Sequence, residues 1–116
     1  MRDVSEKIET TITFLEMTSE PTSVPPRQPV GPLALIRADP PSISFYRYLY
    51  NTIGADHLWW ERRALSDQEL SAVIHKDGVE VFVLYVSGNP AGYFELSTDA
   101  ALNEIEIAYF GIMPEY

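Results

Sequence analysis

Apolar and polar positions along the chain change period several times, and each change marks an element. Residues Thr11 to Met17 (TITFLEM) are rich in β-formers and predict a first strand. The stretch 18–32 holds Pro21, Pro25, Pro26, Pro29 and Pro32, which forbids a helix and predicts an extended crossing segment. Leu33 to Ile36 is read as a short strand or as more of that crossing. Asp39-Pro40-Pro41-Ser42 punctuates the chain, and Ser42 to Ile53 predicts a helix. There Phe45, Leu49 and Ile53 recur at i, i+4, i+8 and are expected to face the core, with Gly54 as a left-handed stop.

Ala55 to Leu65 reads as a loop carrying His57, Trp59, Trp60, Arg62 and Arg63. The next boundary is the clearest one. Ser66-Asp67-Gln68-Glu69 has the form of a capping box, in which the Ser hydroxyl takes a free amide and the Glu three positions on reaches back. Leu70, Val73 and Ile74 make the buried stripe of this second helix, and Gly78 follows its end. From there the period becomes two. Val79 to Val86 and Ala91 to Leu96 predict a hairpin around Ser87-Gly88-Asn89-Pro90. Ser97 to Asn103 is a looser turn, and Glu104 to Met113 is the last strand. The order predicts one α+β domain over residues 1–116, with about four strands in an antiparallel or mixed sheet and two helices.

Composition narrows the chemistry. The 116 residues suit a single domain, and a 46% hydrophobic share is enough for a core. Net charge is −9, which repels phosphate backbones and argues against nucleic acid, while it favours cationic ligands such as amines. There is no cysteine, so disulfides, thiolate metal sites and thiol nucleophiles are excluded. Met1 to Lys7 carries scattered charges and no apolar segment of the signal-peptide kind. No stretch approaches the roughly 20 apolar residues that cross a bilayer. These readings give a cytoplasmic protein with no membrane partner as the expectation. His57 and His75 have no metal-ligand spacing, and no metal site is expected. His75 falls at a predicted helix C-terminus, where a cap is the expected role.

Two segments carry a family resemblance. Pro90-Ala91-Gly92-Tyr93-Phe94-Glu95-Leu96 looks like a hairpin entering a third strand. Glu104-Ile105-Glu106-Ile107-Ala108-Tyr109-Phe110-Gly111-Ile112-Met113-Pro114-Glu115-Tyr116 looks like a fourth strand followed by Pro-Glu-Tyr. With the order of elements, these resemble the N-terminal half of the GNAT superfamily, the acetyl-CoA-dependent N-acetyltransferases. The family's glycine-rich phosphate loop would begin just after Tyr116, so the resemblance implies a partial domain.

The resemblance implies transfer of an acetyl group from acetyl-CoA to a primary amine of a small molecule or a protein, with the isolated chain hampered by the missing loop. It gives the catalytic base to Glu106. It gives main-chain contacts with the cofactor arm to Phe110, Gly111 and Ile112, and a bulge to the fourth strand, for which Gly111 is the candidate. Without a bulge, Glu104, Glu106, Ala108 and Phe110 would share one strand face. Tyr46, Tyr48, Tyr50, Trp59 and Trp60 fall where the family walls its acceptor site, with Tyr85, Tyr93 and Glu95 lining the same cleft from neighbouring strands. Tyr46, Trp59, Trp60, Tyr93 and Glu95 are the chosen acceptor residues. The alternative reading is a non-catalytic module that acts through partner binding, or through self-association at the exposed edge of the last strand.

Overall fold

The computed structural model describes residues 7–116; Met1 to Glu6, most of the stretch read for a signal peptide, lie outside the described residues. Four strands form one antiparallel meander in the order β1 (Leu33–Ala38), β2 (Val79–Val86), β3 (Asn89–Asp99) and β4 (Glu104–Ile112). Helices α1 (Ile43–Gly54) and α2 (Asp67–Ile74) lie in the connection between β1 and β2. The α+β class with a four-stranded sheet and two helices is therefore observed.

Each helix starts where its side chains cap it. Ser42 Oγ accepts the amide of Phe45 at 3.3 Å, and Ser66 Oγ accepts that of Glu69 at 3.1 Å. The Glu69 carboxylate accepts the Ser66 amide at 2.9 Å, which completes the capping box. That bond also holds the Glu69 carboxyl below its ordinary pKa. The buried stripe of α1 is Tyr46, Leu49, Tyr50 and Ile53, with Phe45 half-buried at its margin. The spacing i, i+3, i+4, i+7 follows the 3.6-residue turn more closely than the expected i, i+4, i+8, so two tyrosines enter the core. Burying side chains of this size contributes on the order of 2 kcal/mol each.

Three further expectations are revised. Thr11 to Met17 is not a strand; it lies exposed outside the sheet, and residues 7–32 contain no helix or strand. Its β-rich composition finds no neighbouring ladder to pair with, and strand propensity needs one. Gly54 keeps a right-handed conformation, and a short 3-10 turn (Ala55–His57) continues from it. The left-handed residue is Leu58, at φ 57°. The bulge of β4 is not at Gly111. Glu95 pairs with Tyr109 while Leu96 pairs with Ile107, leaving Ala108 as the extra residue.

That bulge changes which side chains share a face. Glu106 pairs with Ser97 and Glu104 with Asp99. Counting in twos from the buried Tyr93 and Glu95 puts both acids on the helix-covered side. Past Ala108 the phase inverts, so Tyr109 and Gly111 turn toward the helices and Phe110 turns to the opposite face.

Candidate functional site

The site is built where the irregular segment after α1 folds back over β4. Trp59 donates its amide to the Gly54 carbonyl at 3.0 Å, and its ring then lies over Gly54 and Gly111. A Cβ on Gly111 would run into Ile53 Cγ2 and come within 3.1 Å of the Trp59 ring. Gly111 is thus a close-approach glycine, the second of the two roles a strand glycine commonly has. Trp59 packs edge-on to Tyr109, with ring centroids 4.9 Å apart, and touches Tyr50 and Tyr93 at 5.5 and 6.2 Å.

Beneath this aromatic layer sits a buried ion pair. Glu95, on β3, is 1% exposed. Arg62 Nη1 donates to its two oxygens at 2.6 and 2.7 Å and to the Tyr46 hydroxyl at 2.5 Å. The Tyr46 hydroxyl donates to Glu95 Oε1 at 2.7 Å, and Tyr93 donates to Tyr46 at 3.5 Å. The guanidinium also lies 4.7 Å from the Tyr109 ring centroid and 5.8 Å from that of Tyr46. Burial disfavours the Arg62 charge, but the bonds and charge of Glu95 outweigh it, and its pKa is raised. Burial also pushes the Tyr46 and Tyr93 hydroxyls well above the usual tyrosine range, with the negative charge of Glu95 acting in the same direction.

At the surface, Glu61 Oε2 accepts hydrogen bonds from Tyr50 at 3.2 Å and Tyr109 at 3.3 Å. Its own amide, followed by these hydroxyls and the Trp60 amide, lowers its pKa. Glu61 and Tyr109 line an open groove of about 1040 Å³. Trp59, Trp60, Ala108 and Phe110 belong to the same groove.

One strand edge adjoins it. Met113 donates to the Ala91 carbonyl at 2.7 Å, so this pair is hydrogen-bonded across β3 and β4. Alternation along an antiparallel ladder then turns the amides of Ile112 and Phe110 away from β3, to the outer edge of β4. Among the described residues no strand lies beyond that edge.

No protein-family model and no curated protein matches the chain.

The structure brings together Tyr46, Trp59, Tyr93 and Glu95 in one cluster, with Trp60, 67% exposed, at the rim of the groove. Phe110 lines the groove, Gly111 lies buried under Trp59, and Ile112 follows on the same edge. Glu106 is elsewhere: it is exposed, paired across the ladder with Ser97, beyond the bulge from the aromatic cluster. Tyr48 is exposed and Tyr85 half-buried. His75 caps α2; its ring lies 2.9 Å from Ser71 Oγ and 2.6 Å from the Pro41 carbonyl. Among the described residues no group of three or more His, Asp or Glu is placed to hold a metal. No helix there is long and apolar enough to cross a membrane.

The sequence reading missed Arg62, Glu61 and Tyr109. A cationic Arg amid Trp-Trp-Glu-Arg-Arg, in a chain where Glu95 interrupts the otherwise uncharged run Ala91 to Leu96, was the available signal. It lacked the strand register that joins the two.

Proposed function

We propose that this chain forms part of an N-acetyltransferase module that uses acetyl-CoA and a primary amine. The observation that carries the reading is the outer β4 edge, which no strand covers among the described residues, with the amides of Phe110 and Ile112 turned outward on the strand that lines the groove. An extended, amide-rich ligand arm fits such an edge as an added strand. The bulge at Ala108, one residue before Tyr109, bends this edge where the groove opens. The fit is to the acetyl end of the cofactor, since the 116 residues contain no glycine-rich run for a pyrophosphate.

When bound, acetyl-CoA supplies the thioester acetyl group. The chain's own residues account for the rest. The Phe110 amide is a donor for a carbonyl oxygen on the open edge. Glu61, kept ionised by its hydrogen bonds, attracts an ammonium to the groove by charge. A carboxyl with a lowered pKa is a weak base, so Glu61 positions the amine rather than taking its proton. Deprotonation stays with Glu106, as the family resemblance implies, acting through water from its exposed position.

The test is an amide-resolved NMR titration of the chain with acetyl-CoA. The expected result is that the largest shifts fall on Phe110, Gly111 and Ile112. Shifts scattered over basic surface residues, with these three silent, would sink the proposal. Replacing Glu106 with Gln should lower acetyl transfer at neutral pH and leave those shifts intact.

A second reading has its own observation. The outer sheet face exposes Ile105, Ile107 and Phe110 beside the free β4 edge. Two copies pairing β4 to β4 would satisfy the edge amides and join these faces. Sedimentation that stays monomeric at high concentration would remove it.

A further inference from the structure

The contact between Arg62 and Glu95 has a chemistry that does not match its occupant. Guanidinium meets a carboxylate best as a fork, two nitrogens on two oxygens. Here a single nitrogen, Nη1, lies against both oxygens of Glu95 and the Tyr46 hydroxyl. Among the described residues Nε and Nη2 of Arg62 have no protein acceptor. Nη1 has two hydrogens for three oxygens, so the acceptors must share. A primary ammonium has three hydrogens and would give each acceptor its own.

The surroundings suit the same ligand. Tyr46 and Tyr109 wall the charge with ring faces, and Glu61 holds a second negative charge at the groove beside Tyr109. The side chain that now reaches the buried Glu95 is itself an aliphatic run ending in a cation, and it keeps 15% of its surface exposed. Arg62 comes from a segment with no helix or strand, between the left-handed Leu58 and the cap of α2 at Ser66. Its backbone is tied by the bond from its amide to the Tyr50 hydroxyl at 3.2 Å. Such a segment opens at lower cost than a packed element.

We propose that Glu95, Tyr46 and Tyr109 form a binding site for a primary alkylammonium, and that Arg62 is its internal occupant, displaced when the ligand enters. The inference deepens the acceptor half of the acetyl-transfer reading and needs nothing from the cofactor half. A linear aliphatic amine, or the side chain of a lysine, is the chemical class that fits.

The experiment titrates the whole chain with n-pentylammonium chloride, followed by the amide signals of Glu95 and Arg62 and by the indole N–H signal of Trp59. Tetramethylammonium chloride, a cation without N–H donors, is the control at equal ionic strength. Wild type should bind the amine saturably and the control should not compete. Arg62→Ala removes the internal competitor and should bind about tenfold tighter or better. Adding Glu95→Gln to that variant should abolish the gain. If Arg62→Ala does not fold alone, refolding in the amine should rescue it. The proposal is overturned if wild type shows no saturable binding, since the pair would then be a fixed strut. It is equally overturned if Arg62→Ala gains nothing over wild type, or if the amine does not rescue its folding. Failure here leaves the β4 amide shifts with acetyl-CoA free to succeed, so the two readings fall separately.

Discussion

The two faces of the sheet distribute polar and apolar groups in opposite ways. Under the helices, where water is excluded, lie a carboxylate, a guanidinium and the hydroxyls of Tyr46 and Tyr93. On the outer face, open to water, lie Leu35, Ile105, Ile107 and Phe110, with Phe82 stacked on Phe94 at 5.0 Å between ring centroids. Buried charge costs stability unless every partner is present. Exposed apolar area is a cost that a binding partner removes. The covered face is therefore where removing one group does most damage, and the open face is where substitution is tolerated.

The largest effect expected from breaking this contrast comes from the buried pair. Arg62→Ala leaves Glu95, at 1% exposure, charged and without its cation. The expected cost is about 3–5 kcal/mol in denaturant unfolding. Replacing both members, Arg62→Met with Glu95→Leu, removes the uncompensated charge and should recover a large part of that loss. A double variant as unstable as Arg62→Ala would mean that the ion pair itself, and not the stranded charge, carries the effect.

Alkaline pH probes the same face through its tyrosines. Tyr46, Tyr93 and Tyr109 all have pKa values raised above the ordinary tyrosine value of 10.0, burial being the first cause in each. Their contribution is fully present below the unfolded value near pH 10. It is lost as pH rises, because the unfolded chain releases protons that the folded chain keeps. The two buried ones, Tyr46 and Tyr93, give a slope of about 3 kcal/mol per pH unit above that point, and Tyr109, at the open groove, adds less because solvent screens it. Tyrosinate absorbance should therefore rise together with loss of helix signal. Ionisation of Tyr46 and Tyr93 well before unfolding would show that they are not sealed from water.

Gly111 is the next step down. Its Cβ position is filled by Ile53 and the Trp59 ring. Gly111→Ala forces α1 or Trp59 away from β4 and should cost about 1–3 kcal/mol. Tryptophan emission, measured with Trp60 replaced by Phe so that Trp59 alone reports, should shift with it. Unchanged stability and emission would mean the Trp59 layer yields freely.

How much of this was legible follows from the range of each signal. The capping box, β2 and the helix starts are written in neighbouring residues, and they appear where the local pattern places them. Thr11 to Met17 has the same β-rich composition as β2 yet no ladder, because pairing depends on a neighbour that composition does not specify. Arg62 and Glu95 are 33 positions apart and meet only through the register of β3 and the path of an irregular loop. The bulge at Ala108 has no glycine to announce it, and it alone decides that Phe110 and Glu106 lie on opposite faces.

The smallest effect on stability belongs to the open face. Ile105 and Ile107 are each 66% exposed, on the outer side of β4 opposite Thr98 and Leu96. Ile105→Lys and Ile107→Lys remove little buried area, so each should change unfolding free energy by about 0.5 kcal/mol or less. Their effect on association should be much larger. A lysine on an exposed edge strand deters pairing between copies. If wild type sediments with a concentration-dependent mass, the double variant should be monomeric at the same concentration and equally stable. A large loss of stability would mean that these side chains already pack against something within the chain, and the outer face would cease to be open. Equal association of both proteins would move the contact elsewhere and leave the free amides of Phe110 and Ile112 available to a ligand in every copy.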